Sequence, residues 1–416
     1  MVVLTLIACQ SSPDAVHRHR GGDPALPVTS LPGTGTEPTH PGSTGPGASR
    51  SPLGPGGPWA TSGATPPPVL LADVQVDVLS GVFPLVVDFD GSASELASGD
   101  VTIDWDFGDG GSDSGLVPSH TYIGAGLFDA TLTLTDNVSG EISIASTTID
   151  VQYPTCPVSA ASVLWGHIDD AALNELSGIA PSRIADDVYW VHEDSGNSTS
   201  ITAVNIWGNT LGTYSLPPMS DFEDISIQVD PETGVSMMFL GDIGNNNHDR
   251  GSLAIYVVEE PDPYGSGDLD PLRMGFSYPG TSRDSEALLV DPLTMDIYLI
   301  SKEYSGPSNA FVKRAPHDSE GPFVLEDLGQ LAFEITATGG DVSADGTRVV
   351  LRDYSPTAHL WIRDAYHPLE DVFAEQPCSV GIHSEPQGEA VAFTTDGAGI
   401  VTVSEGTQQP LYYIGL

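Results

Sequence analysis

The run Ser285-Glu286-Ala287-Leu288-Leu289-Val290-Asp291-Pro292-Leu293-Thr294-Met295-Asp296-Ile297-Tyr298-Leu299-Ile300-Ser301-Lys302 decides how the second half of the chain is read. It is a carboxylate, a short apolar strand, an Asp-Pro turn, a second apolar strand and a polar end. Short apolar runs bounded by turn residues indicate strands buried on both faces. The pattern recurs at Glu175-Leu-Ser-Gly-Ile-Ala, Glu223-Asp-Ile-Ser-Ile, Gly340-Asp341-Val-Ser-Ala and Gly388-Glu389-Ala-Val-Ala-Phe. Each copy leads through a turn into a second β-rich run: Val188-Tyr-Trp-Val, Ser236-Met-Met-Phe-Leu, Arg348-Val-Val-Leu and Ile400-Val-Thr-Val. Recurrence roughly every 50 residues is the period of β-propeller blades.

Further strands follow each hairpin, such as Leu253-Ala-Ile-Tyr-Val-Val and Met274-Gly-Phe-Ser-Tyr in the second unit. Four strands in each of the five units predict an all-β, five-bladed propeller over residues 155–416. The second unit is long enough to hold an irregular sixth blade. The last unit ends at Leu411-Tyr-Tyr-Ile, one strand short, and Ser162-Val-Leu-Trp-Gly-His-Ile can supply the missing strand and close the ring.

The 416 residues leave room for more than this one domain. Lys and Arg number 13 against 57 Asp and Glu, a net charge of -44. Such a surface repels nucleic acid and anionic membrane. It suits a saline or calcium-rich extracellular medium, or serves solubility alone. No segment is apolar for about 18 residues, so nothing is expected to span a membrane as a helix.

Leu6-Ile7-Ala8-Cys9 resembles a bacterial lipobox, which implies lipidation of Cys9 and anchorage to the cell envelope. The apolar run before it is short and lacks a preceding Lys or Arg, so the true start is expected upstream. With residues 1–9 as a signal remnant, residues 10–69, rich in Pro, Gly, Ser and Thr, read as a flexible stalk. Cys156 and Cys378 would sit in an oxidising compartment, both near the seam between the last two blades, where they can pair.

Residues 70–153 change to short alternating strands, with Val74, Val76 and Val78 on one face of the first. Phe128, Ala130, Leu132 and Leu134 alternate with polar residues further on, the pattern of a small β-sandwich. Asp104-Trp105-Asp106-Phe107-Gly108-Asp109-Gly110 followed by His120-Thr121-Tyr122 resembles the hallmark of PKD domains. That resemblance implies an immunoglobulin-like sandwich acting as a spacer or adhesion module outside cells. The pair Leu127-Phe128 departs from the family's more common Thr-Tyr. The aspartates of the motif read as turn and cap residues.

In an antiparallel hairpin, the start of the first strand and the end of the second share one edge. If first strands line the channel, Glu175, Glu223, Glu286, Asp341 and Glu389 form a ring at one mouth. The second strands bring His192, Asp194, Asp242, Asn245, Lys302 and Arg352 to the same mouth as candidate ligand-binding residues. Clustered carboxylates must share protons, be well solvated or neutralise a cation. Calcium, with oxygen ligands and tolerant geometry, satisfies such a ring best. The alternative is that these acids bond backbone N–H groups of neighbouring blades as staples. Zinc spacing, a P-loop and a Gly-x-Ser-x-Gly elbow are absent. Ser195, near His192, reads as turn chemistry, and no catalytic residue is assigned.

Glu175-Leu-Ser-Gly, Asp221-Phe-Glu-Asp-Ile, Gly241-Asp-Ile-Gly-Asn, Arg283-Asp-Ser-Glu-Ala and Gln387-Gly-Glu-Ala resemble a bacterial extracellular propeller family of uncertain activity. Asn245 stands where that family more commonly has Gly-Asp-Asn. The acidic ring is also similar to that of calcium-activated nucleotidases. The expected function is a monomeric surface lipoprotein whose calcium-stabilised propeller binds an extracellular ligand: a glycan, a protein or a phosphorylated small molecule. The alternative is a calcium-dependent phosphoester or ester hydrolase, with His192, Lys302 and Arg352 converging on an anion.

Overall fold

The computed structural model describes residues 69–416 apart from 97–98 and 195–198. Cys9, Ser195 and all but the last residue of the 10–69 stalk lie outside the described residues. The described chain is all-β, with one short 3-10 helix at Leu369–Ala374.

Two sheets make the first sandwich. One orders Gln75–Val76, Leu85–Asp90 and Ser119–Tyr122. The other orders Ser80–Val82, Ile142–Gln152, Gly126–Asp136, Val101–Asp106 and Ser112–Ser114. Val87, Phe89, Trp105, Phe107, Tyr122, Leu132 and Ile149 fill the space between them. Trp105 buries its ring against Phe89, 5.2 Å away, and donates Nε1–H to the Gly115 carbonyl at 2.9 Å. Tyr122 donates its hydroxyl to the Phe107 carbonyl at 3.0 Å, so both amphipathic aromatics have satisfied polar ends. Asp106 accepts from the Gly108 N–H and Asp109 from the Gly111 N–H, each at 2.9 Å, which makes them caps of the tight turn.

Downstream lie five sheets whose first four strands are antiparallel. Their first strands are Leu176–Pro181, Phe222–Val229, Ser285–Val290, Gly339–Val342 and Gly388–Phe393. These neighbour one another in cyclic order, and the fifth returns beside the first. The fifth sheet receives its outer strand from Val163–His167, which pairs with Pro410–Gly415. Adjacent sheets are also laced at their outer edges. Ser266–Asp268, an excursion from the second sheet, pairs parallel with Thr210–Ser215 of the first. Phe323–Val324 does the same between the third and second. The extra length of the second repeat is spent on this lacing, and no sixth sheet forms among the described residues.

Five apolar clusters occupy the spaces between successive sheets. In one, Leu289 and Tyr298 of the third sheet meet Val349, Leu351 and Trp361 of the fourth. Each fully buried aliphatic side chain contributes roughly 1.5–3 kcal/mol. Because both faces of the inner strands are covered, Ala287-Leu288-Leu289-Val290 and Ala390-Val391-Ala392-Phe393 run apolar continuously, whereas Phe222–Val229 alternates and buries Asp224, Ser226 and Gln228. At the ends away from the first-strand starts, Arg363 closes a bidentate pair on Asp291 at 2.8 and 2.9 Å, fully buried between the third and fourth sheets.

A disulfide joins Cys156, on the segment leaving the sandwich, to Cys378 on the outer strand of the fourth sheet; the Cα atoms are 5.5 Å apart.

Candidate functional site: an acidic mouth

The starts of the first strands gather at one end of the ring, and a shared backbone irregularity there places the acids. In four sheets the register slips by one residue, at Leu176/Gly178, Phe222/Asp224, Ser285/Ala287 and Gly388/Ala390. A bulge re-aims the extra residue. The bulged residues are Ser177, Glu223, Glu286 and Glu389, so these form the inner tier. Two residues earlier, Glu175, Asp221, Asp284 and Gln387 form an outer tier in sequence, of which Glu175 and Gln387 are exposed while Asp284 is buried and accepts from Asn245 N–H at 2.7 Å. The fourth sheet has no bulge and presents Gly339 and Gly340 instead.

This register corrects the ring predicted from sequence. Glu175 belongs to the outer tier and is exposed, and Ser177 takes the inner position, donating its hydroxyl to the Glu223 carbonyl at 2.6 Å. Asp341 lies deeper, where it accepts from its neighbour Val342 N–H at 2.8 Å and from Phe393 N–H of the next sheet at 2.9 Å. It is a staple between sheets, and burial raises its carboxyl to about 6. Asp224 does the same to Leu288 N–H at 2.8 Å.

Glu223, Glu286 and Glu389 are nearly solvent-free. Burial, then Glu286, Asp194, Asp221 and Glu389, pushes Glu223 well above the usual carboxylate range. Glu389 rises to about 8 through burial and the nearby Glu405 and Glu286. Glu286 rises to about 7 because burial outweighs the return from Lys302. Lys302 bonds Glu286 directly and also donates to Tyr354 Oη at 3.0 Å, while Tyr354 donates to Glu389 Oε1 at 3.0 Å. Burial works against the Lys302 ammonium, yet Glu286 and Tyr354 outweigh it and its pKa rises. Tyr354 thus fills the side of the mouth that the fourth sheet leaves without an acid.

Beside these, Asp194, Asp221 and Glu223 each offer an oxygen, all within 4.8 Å of one another. Oxygens bound to calcium at about 2.4 Å can lie up to about 4.8 Å apart, so the spacing suits one hard cation. The donor set is all carboxylate, which also favours calcium over softer metals. Gly244 makes room: a Cβ there would lie 2.0 Å from Glu223 Oε1 and 2.6 Å from Asp221 Oδ2.

The other sequence-predicted ligands are engaged elsewhere. Asp242 accepts from the N–H groups of Ser220 and Asp221, at 3.1 and 3.0 Å, and bonds Arg250, so it shapes the loop carrying Asp221. Asn245, on the loop that follows Asp242, donates to Ser282 Oγ at 2.7 Å and accepts from Arg250 N–H at 2.9 Å. Arg352 is 1 % exposed and bonds Glu385 at 2.7 Å and the Ala390 carbonyl at 3.0 Å. His192 is fully buried, stacked on Phe222 with centroids 3.5 Å apart, and its pKa falls to about 3 through burial. Of the three groups expected to clamp an anion, only Lys302 stays at the mouth. Asp221, Ser177, Tyr354 and Gly244 belong to the site without having been assigned to it. Asp221 and Gly244 lie inside motifs visible in the sequence, but their roles depend on the bulge register.

A family model described as PKD domain matches residues 82–151. Among solved structures, the PKD1 domain of the Vibrio cholerae metalloprotease PrtV is 29 % identical, covering 20 % of this chain and 95 % of that one, with a TM-score of 0.17. The PKD1 domain of Vibrio anguillarum Epp is 28 % identical, covering 20 % and 93 %, with a TM-score of 0.15. No curated protein matches significantly. The family match, the Trp105-centred sandwich and the Asp-capped turn agree: residues 82–151 are a PKD domain.

Proposed function

We propose that this chain is an extracellular protein in which a PKD module carries a five-bladed β-propeller whose mouth binds calcium and presents it to an extracellular ligand. Support for the propeller comes from five sheets with neighbouring first strands and the late closure by Val163–His167. Support for export comes from the PKD module and the Cys156–Cys378 disulfide, which persists in oxidising compartments. Lipid anchoring through Cys9 belongs to the same reading.

The observation that carries the cation is the Asp194, Asp221 and Glu223 triad, set among buried acids whose charge Lys302 cannot balance. A cation there would let Glu223 ionise without the desolvation cost of an unpaired charge. A binding role is favoured over hydrolysis because His192 and Arg352 are enclosed and Lys302 is committed to Glu286.

The test is calorimetric titration of the full chain with calcium after chelation. Micromolar or tighter binding is expected, weakened at least tenfold in Glu223→Gln. No heat of binding, with a melting point indifferent to calcium, would overturn the cation site. The acids would then be proton-sharing groups and inter-sheet staples.

A further inference from the structure

We propose that the PKD domain is not a freely swinging spacer but is latched onto the loop Arg363–His367 of the fourth sheet, at the end of the ring opposite the acidic mouth. The third strand of that sheet, Thr357–Ile362, runs away from the mouth, because the preceding strand ends there at Arg352. The loop that follows meets the PKD turn Ile123-Gly124-Ala125.

The contacts interlock from both sides. Ala365 N–H donates to the Ile123 carbonyl at 3.1 Å, and Ala125 N–H donates to Asp364 Oδ2 at 3.2 Å. Tyr153, where the chain leaves the PKD domain, donates its hydroxyl to the same Asp364 oxygen at 3.2 Å. Tyr366 donates to Asp109 Oδ2 at 2.6 Å, an oxygen that also lies 2.7 Å from His120 Nε2. The Tyr366 ring meets Phe128 edge-on with centroids 5.6 Å apart, and Ile362 packs against the PKD core. Asp109 and Phe128, part of the PKD signature region, are thus turned to an internal partner.

Gly124 carries the argument furthest. Its backbone does not occupy the left-handed region, so the turn itself does not demand glycine. The nearest atoms a Cβ would meet all belong to the fourth-sheet loop: Asp364 Oδ1 at 2.0 Å, Tyr366 Cδ2 at 2.4 Å and Asp364 Cγ at 2.8 Å. Glycine is required here by the approach of the other domain. The Cys156–Cys378 disulfide pins the connecting segment to the fourth sheet as well, and Ala160 N–H bonds the Gly415 carbonyl at 2.9 Å. The linker is therefore tied to the sheets at both Cys156 and Ala160.

Hydrogen exchange on the full chain tests the latch, because the Ala125 and Ala365 amides have their acceptors across the interface. In a latched protein both exchange at least about tenfold more slowly than free loop amides. Gly124→Ala, a wedge that touches neither core, is expected to release both while the PKD strand Gly126–Asp136 keeps its protection. Asp364→Ala, which lies outside the PKD domain, is expected to do the same, and it decides the matter if Gly124→Ala disturbs the PKD fold. Reduction of the disulfide alone should leave both amides slow. Free-loop rates in the unmodified protein, or slow exchange that survives Asp364→Ala, would overturn the proposal.

Discussion

Raising the pH should destabilise the calcium-free protein, and Glu389→Gln should remove part of that loss. Glu389 has a carboxyl raised from an ordinary 4.5 to about 8, first by burial and then by Glu405 and Glu286. The native state therefore holds a proton that the unfolded state has released between those values, and stability falls as pH rises through that window. At about 1.4 kcal/mol per pH unit the upper bound is near 5 kcal/mol. Water and structural relaxation at the mouth reduce it to about 2 kcal/mol, since effective dielectrics near such sites are around 20. For a ring of this size that is about 4–8 °C in melting temperature. Melting curves from pH 5 to 8 in chelator should show the unmodified protein falling more steeply than Glu389→Gln, and added calcium should flatten its slope. Parallel pH profiles for the two proteins, or a rise in stability from pH 5 to 8, would refute the reasoning.

Two further outcomes follow from named contacts. Arg363→Ala strips the bidentate partner from the buried Asp291 and should cost about 3–5 kcal/mol, read as a lower denaturant midpoint. Gly244→Ala places a methyl 2.0 Å from Glu223 Oε1, so calcium affinity by calorimetry should fall at least tenfold while the circular dichroism spectrum stays unchanged; unchanged affinity would remove Gly244 and the triad from the site.

Local pattern made much of this protein legible. Continuous apolar runs such as Ala287-Leu288-Leu289-Val290 and Ile297-Tyr298-Leu299-Ile300 mark strands covered on both faces, because neither face meets water. The Trp105 to Gly110 motif identified the PKD sandwich, since its aromatic anchor and Asp-capped turn are local in sequence. The deficit of one strand after Leu411 pointed to Val163–His167, because each sheet needs the same complement.

Tertiary structure decided what those runs do at their ends. A one-residue slip at Leu176/Gly178 moves Glu175 outward and brings Ser177 inward, and sequence spacing cannot reveal a bulge that depends on cross-strand pairing. Hairpin geometry put Arg352 at the mouth, but Glu385, 33 residues away in the chain, draws it beneath the surface. His192 followed Phe222 into the interior for the same reason: its partner lies on another sheet. Nothing in the sequence singles out Gly124, and only the approach of Asp364 and Tyr366 explains the missing side chain. Strand identity follows from side-chain period and burial within one segment. Register, burial of charge and domain contact depend on partners tens to hundreds of residues away, and only the folded chain brings them together.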